Sequence, residues 1–326
     1  MSIVNLREIL ETRQIAIYFA AVVLAAVFAW LHPGTATLAP AIDPLLGFML
    51  FVTFLQVPLM ALRQALSNMR FLGAVLTANF VAVPLLVAAL RLWLPDDPLL
   101  RTGALLVLLA PCIDYVVTFA HVGRADARQL LASTPVLLAA QMLLLPVFLG
   151  LFLGDAAGGL VQREPFVHAF VWLIAVPLVL AGVCQAWAAR ANAGRSAVAV
   201  LGLLPVPATA AVLFVVVAAV TPQLGQALGA VRAVVPVYVV FAVIAPLLGW
   251  CVARGWRLPA DQGRAIAFSS ATRNSLVVLP LGMAIPGAVP LIPAVIVAQT
   301  LVELVSELVY VKLLPCLGRR LALAER

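Results

Sequence analysis

The chain has 326 residues, of which 65% are hydrophobic and only 10% charged, and its mean hydropathy is +1.15. These proportions exclude a water-soluble globular domain and define an integral membrane protein. The net charge of +7 is scattered over short connections instead of gathered on one surface, so it is read as membrane topology and contact with anionic lipid, with no nucleic-acid partner.

Residues 1–13 interleave charges with Ile3, Leu6, Ile9 and Leu10. They are expected to form a short amphipathic segment at the cytoplasmic face, and no cleavable signal peptide is visible. Ten apolar runs follow, each near the roughly 20 residues that span a hydrocarbon core of about 30 Å. They cover 14–31, 41–62, 70–92, 100–120, 129–153, 165–187, 196–220, 229–254, 263–285 and 288–313. All ten are predicted to be α-helices, because lipid leaves backbone groups no other partner. They fall into five-helix halves, 14–153 and 165–313, with 314–326 as a cytoplasmic tail. An odd number per half makes the second enter from the opposite side, so the fold class expected is an all-α membrane protein of inverted five-helix repeats.

Orientation follows from arginine placement. One set of loops with both termini holds Arg7, Arg13, Arg63, Arg70, Arg124, Arg128, Arg190, Arg195, Arg254, Arg257, Arg264, Lys312, Arg319, Arg320 and Arg326; the other holds Arg91, Arg101, Arg163 and Arg232. Both termini are therefore expected in the cytoplasm, with the chain in the plasma (inner) membrane. Trp30, Trp93, Trp187, Trp250 and Trp256 lie near span ends, as interfacial anchors do.

Two spans carry polar interruptions: Pro111-Cys112-Ile113-Asp114 in the fourth, and Ser269-Ser270-Ala271-Thr272-Arg273-Asn274 in the ninth. Broken helices at corresponding places in two halves mark the binding site of a secondary transporter. Pro111 and Thr272 are the expected break points. Cys112 is either a small buried hydrophobe or a soft ligand for a thiol-seeking substrate. Asp114, at membrane depth, needs a partner. Arg273 is the candidate, in a structural ion pair, in a proton relay with Asp114, or as a clamp on an anionic substrate. Glu303 and Glu307 share one face of the tenth span. Two such carboxylates rarely stay ionised together when buried, so one is expected to carry an exchangeable proton, unless the pair only bonds neighbouring helices or faces a vestibule. Gln56, Asn79, Ser133, Thr134, Gln141, Gln299 and Thr300 read first as polar glue between helices, and His32, His121 and His168 as interfacial.

No Walker loop, dinucleotide turn, HExxH pair or Ser/His/Asp set is present, so no enzyme activity and no cofactor are expected. The four cysteines lack metal-ligand spacing, and no metal is expected. Transport would then draw on an ion gradient or on the substrate's own.

Ala110-Pro111-Cys112 resembles the cysteine motif of the arsenical-resistance arsenite-efflux permeases, within the bile acid:sodium symporter superfamily. Gly123, the run into Ser133-Thr134-Pro135, and Arg273-Asn274-Ser275 are similar to that superfamily's crossover region. The resemblance implies a core of spans three to five and eight to ten, a panel of spans one, two, six and seven, and a substrate site at the crossing of spans four and nine. It also implies contacts to substrate or ion from Cys112, Asp114, Ser133, Thr134, Arg273 and Asn274, and ion coupling through Asp114, Ser270, Glu303 and Glu307. Symporters of the superfamily carry an acidic residue and a Gln-Asn pair that help hold sodium; Ser269 or Ser270 and Arg273 stand there instead. A fixed cation repels Na⁺ by several kcal/mol at about 4 Å and intermediate dielectric. The arsenite permeases have an acidic residue where this chain has Val277, so it departs from both branches. The expected activity is efflux of arsenite or antimonite by exchange with H⁺, with Na⁺ disfavoured; the alternative is sodium-coupled or sodium-independent transport of an organic anion. A membrane sensor that kept the fold is disfavoured because no soluble output segment is present.

Overall fold

The computed structural model describes residues 3–56, 68–113, 115–154, 167–168, 171–283 and 285–318. Among them the secondary structure is helical apart from one isolated bridge. In chain order the main helices are α1 (Ile3–Leu31), α2 (Ile42–Gln56), α3 (Met69–Trp93), α4 (Pro98–Leu109), α5 (Val116–Val122), α6 (Ala127–Leu153), α7 (Val176–Arg190), α8 (Asn192–Leu201), α9 (Pro205–Gly255), α10 (Ala260–Ala271), α11 (Ser275–Met283) and α12 (Leu291–Leu313). Among the described residues, seven helical stretches are long and apolar enough to cross a membrane, while α4 and α7 are shorter apolar helices. The protein is thus a multi-pass membrane protein. Leu85, Leu143 and Val243, each more than 60% exposed, are the apolar surface that lipid covers.

Three places bear on the expected boundaries. The amphipathic N-terminus is continuous with the first span, since α1 starts at Ile3 and the Arg7–Glu11 pair (2.6 Å) staples its early turns. The seventh and eighth spans lie on one helical run, α9, but its membrane-length apolar stretches are two, Pro205–Pro222 and Ala227–Gly255, close to the pair expected, with Pro222 at the end of the first. The fourth and ninth spans are interrupted where expected, each forming two helices, α4 with α5 and α10 with α11.

The chain divides into two compact units that each draw on both sequence halves. The first comprises residues 1–59, 162–228 and 279–290. Within it, Gln185 Nε2 donates to the Phe54 (3.2 Å) and Leu55 (3.3 Å) carbonyls, holding α7 on the end of α2. Thr35 Oγ1 donates to Ala218 O at 2.7 Å. The second unit comprises residues 60–161, 229–278 and 291–326. Apart from 279–290, this is the partition into spans one, two, six, seven and three to five, eight to ten that the resemblance implied.

Inside the second unit, an offset of 162 residues carries α4 (Pro98–Leu109) onto α10 (Ala260–Ala271) end for end, and places Leu291–Leu313 within the mate of α6. The outer end of α4 is capped by Asp97, whose Oδ1 accepts from Leu99 N (2.8 Å) and Leu100 N (3.0 Å), while α10 starts after Pro259, whose carbonyl accepts its first helical bond from Gly263 N. At 12 residues each they rise about 18 Å, roughly half a bilayer core. Their inner ends therefore meet at mid-depth.

Candidate functional site

Pro111 has no N–H and disfavours helical backbone in the residue before it, and Ala110 is accordingly extended (φ −99°, ψ 109°). Thr272 is extended as well (φ −92°, ψ 128°), with no proline to cause it. There the side chain of Arg273 does the work. Its Nη2 donates to Ser269 O (2.6 Å) and Ser270 O (2.7 Å), the two carbonyls that the amides of residues 273 and 274 would take in a continuing helix. The chain thereby caps α10 with its own guanidinium. The two displaced amides bond elsewhere: Arg273 N donates to Glu303 Oε2 (2.6 Å) and Asn274 N to Ala110 O (2.8 Å).

Irregular backbone inside lipid is tolerable only when its polar groups find protein partners. Here the two breaks supply each other. Cys112 N donates to Thr272 O (3.1 Å), Asn274 N donates to Ala110 O (2.8 Å), and Pro111 pairs with Arg273 in an antiparallel bridge. The same 162-residue offset relates the two hydrogen bonds, each amide reaching the residue two positions before its own mate.

The guanidinium occupies an oxygen cradle. Besides the two serine carbonyls, Nη2 donates to Asn79 Oδ1 (2.9 Å) and Nη1 to Leu108 O (3.4 Å), and the Phe241 ring lies 5.5 Å from its central carbon. Asn79 sits in the π-turn Ala78–Ala82 of α3, and its amide is fixed by donating to Val75 O (3.0 Å) and Ser269 Oγ (2.9 Å). Helix C-termini carry negative partial charge, and those of α4 and α10 converge on this one cation. Arg273 is 0% exposed; its two terminal nitrogens bond the cradle oxygens, while Nε has no partner among the described residues.

Beside it lie the two carboxylates, both buried. Glu303 accepts from Arg273 N, from Gln299 Nε2 (2.7 Å) and from the Tyr115 hydroxyl, which also lies 3.3 Å from Arg273 O. Glu307 accepts from the Thr272 hydroxyl. Both belong to the crossing, and neither faces a vestibule. Asn274 Nδ2, Gln299 Oε1 and Glu307 Oε2 are buried with no partner among the described residues, so the crossing holds both a spare donor and spare acceptors.

Of the residues singled out from sequence, Pro111, Cys112, Thr272, Arg273, Asn274, Glu303 and Glu307 meet here. Cys112 is fully buried at the break. Asp114, and with it the expected pairing to Arg273, lies outside the described residues; among the described residues the guanidinium is held by neutral oxygens. Ser270 Oγ donates back to Ile266 O (2.8 Å) and packs on Gly249, where an added Cβ would come within 2.3 Å of it. Ser133 and Thr134 donate to Leu130 O and Leu131 O of their own helix (2.8 Å each). The second of these restores what Pro135 removes, since Leu131 O is the carbonyl that residue 135 would otherwise bond. Sequence reading passed over Tyr115, whose neighbour Asp114 drew attention as the charged residue, and grouped Asn79 and Gln299 with ordinary glue. The signal that could have found Asn79 is its depth in the third span, level with the breaks.

A helical membrane protein with two broken half-helices crossing at mid-depth around buried ionisable groups is a transporter. Residues 43–227, more than half of the chain, match the Sodium Bile acid symporter family, and the chain belongs to that family. No curated protein matches it.

Proposed function

We propose that this protein is a sodium-independent secondary transporter of inverted-repeat architecture that exports arsenite or antimonite in exchange for protons. The observation that carries the reading is the occupied cradle: the oxygens of Asn79, Ser269, Ser270 and Leu108 already bind a cation, and that cation is the tethered Arg273. A site filled by the protein's own charge has no need of Na⁺. Proton exchange falls to the adjoining carboxylates, with Glu303 as the group whose bonds reach both Arg273 and Tyr115.

The same geometry bears on the substrate. Arg273 directs Nη1 and Nη2 to protein oxygens, which supports an uncharged substrate over an organic anion. The spare groups at the crossing are an amide donor, an amide acceptor and a carboxylate acceptor, and arsenite at neutral pH is an uncharged acid whose hydroxyls both donate and accept. Cys112 adds a soft sulfur on the break itself. A lone thiol binds such a centre reversibly, as transport requires. Alternating access would expose the crossing to each side of the membrane in turn, with plasma-membrane localisation and cytoplasmic termini as the arginine bias implies.

The test is arsenite accumulation in everted membrane vesicles under an imposed proton gradient, with Na⁺ present or replaced by choline. Uptake is expected to need the gradient, to ignore Na⁺ and to fall at least tenfold in Cys112→Ser. Na⁺-dependent uptake, or no arsenite movement by inserted native protein, would overturn the proposal.

A further inference from the structure

Gln141, midway along α6 between Pro135 and Pro146, is 0% exposed, and neither atom of its amide has a hydrogen-bond partner among the described residues. An amide left unsatisfied at membrane depth costs stability, so its presence needs a reason. The 162-residue offset supplies the comparison, for it makes Gln141 the mate of Glu303 and Pro111 the mate of Arg273.

Glu303 is held by three donors: the Arg273 amide, the Gln299 side chain and the Tyr115 hydroxyl. The mates of those three are Pro111, which has no N–H, and Leu137 and Val277, which are apolar. Every group that binds the Glu303 carboxylate on one side of the crossing is thus replaced by a non-donor on the other. What remains there is a polar amide in a buried apolar setting.

We infer that Gln141 contacts the transported substrate, offering one donor and one acceptor to a small, uncharged, hydroxylated molecule at the break that carries Cys112. The inference rests on the inverted-repeat and transport reading above and adds a recognition residue to it. An amide suits such a substrate because it hydrogen-bonds in both directions without bringing a charge. In the mirror position three donors hold the Glu303 carboxylate, so the two sides of the crossing divide the labour: one binds, the other couples.

The experiment uses Gln141→Leu in the full chain, with two readouts. Thermal unfolding in detergent without substrate is expected to be unchanged or raised, because an unpaired amide is exchanged for an apolar side chain of similar size. In proteoliposomes, KM for arsenite is expected to rise at least tenfold, and the shift in unfolding temperature that arsenite gives the native protein is expected to disappear. A lowered unfolding temperature with unchanged KM would show a structural amide and overturn the inference. If native protein neither binds nor moves arsenite, that reading fails on its own; the same readouts are then taken with taurocholate, and an unchanged KM there overturns the role of Gln141.

Discussion

Arg273 organises the crossing through four oxygens, and its removal is correspondingly costly. In Arg273→Gln the shorter amide cannot serve Ser269 O, Ser270 O and Asn79 Oδ1 together, leaving buried acceptors without donors. Loss of about 3–5 kcal/mol is expected, in line with breaking a buried charged network, and is read as a fall in unfolding temperature in detergent. A small cation can then enter the vacated oxygens, so Na⁺ is expected to restore part of the loss in the variant and to leave native protein unmoved. Thr134 makes a smaller case. Thr134→Ala removes the donor to Leu131 O and is expected to cost about 1–2 kcal/mol. In a Pro135→Ala background, where residue 135 regains its N–H, the same change is expected to cost close to nothing; additive losses in the four unfolding temperatures of that cycle would refute the account.

Among the elements, close approach of helices decides which glycines matter. At Gly249 on α9 an added Cβ would lie 2.3 Å from Ser270 Oγ and 2.9 Å from Ile266 O, while at Gly229 on the same helix nothing lies within 4 Å. Gly249→Ala is therefore expected to destabilise by about 1–3 kcal/mol and Gly229→Ala to be neutral or mildly stabilising, measured by the same unfolding assay. The element scale is also where sequence and structure part most. Pro111 advertised its break because proline acts locally. The second break is made by a side chain reaching back to carbonyls of its own helix and by an amide donating to Glu303, 30 residues away, so the polar run at 269–274 signalled an interruption without its cause. The carbonyls of Ser269, Ser270 and Leu108 around Arg273 were not legible either, because charge in a sequence points to carboxylate partners and says nothing of aligned backbone dipoles. Gln141 was read as ordinary glue for the complementary reason: what sets it apart is the absence of hydrogen-bond partners around it among the described residues.

For the molecule as a whole, apolar run length and arginine bias sufficed to read a multi-pass helical membrane protein, because both arise from the bilayer and neither from tertiary packing. The grouping of helices into two compact units drawn from both halves was not legible in periodicity and came only with the family resemblance. Orientation has a direct test. Cys316 is exposed just past α12, whereas Cys112 is buried. A membrane-impermeant maleimide is expected to label Cys316 in everted vesicles and to leave it unlabelled in intact cells, in a Cys251→Ala background; the reverse pattern would invert the topology.

The paired breaks have a further consequence for amide hydrogen exchange. Non-helical backbone usually trades its protons with solvent quickly, yet the amides of Cys112 and Asn274 are each bonded to a carbonyl of the opposite break and lie where water is scarce. Their deuteration should be among the slowest in the second unit, slower than that of the outer turns of α4 and α10. The two interruptions would then behave as a single rivet, carried intact while the helices around it change their exposure.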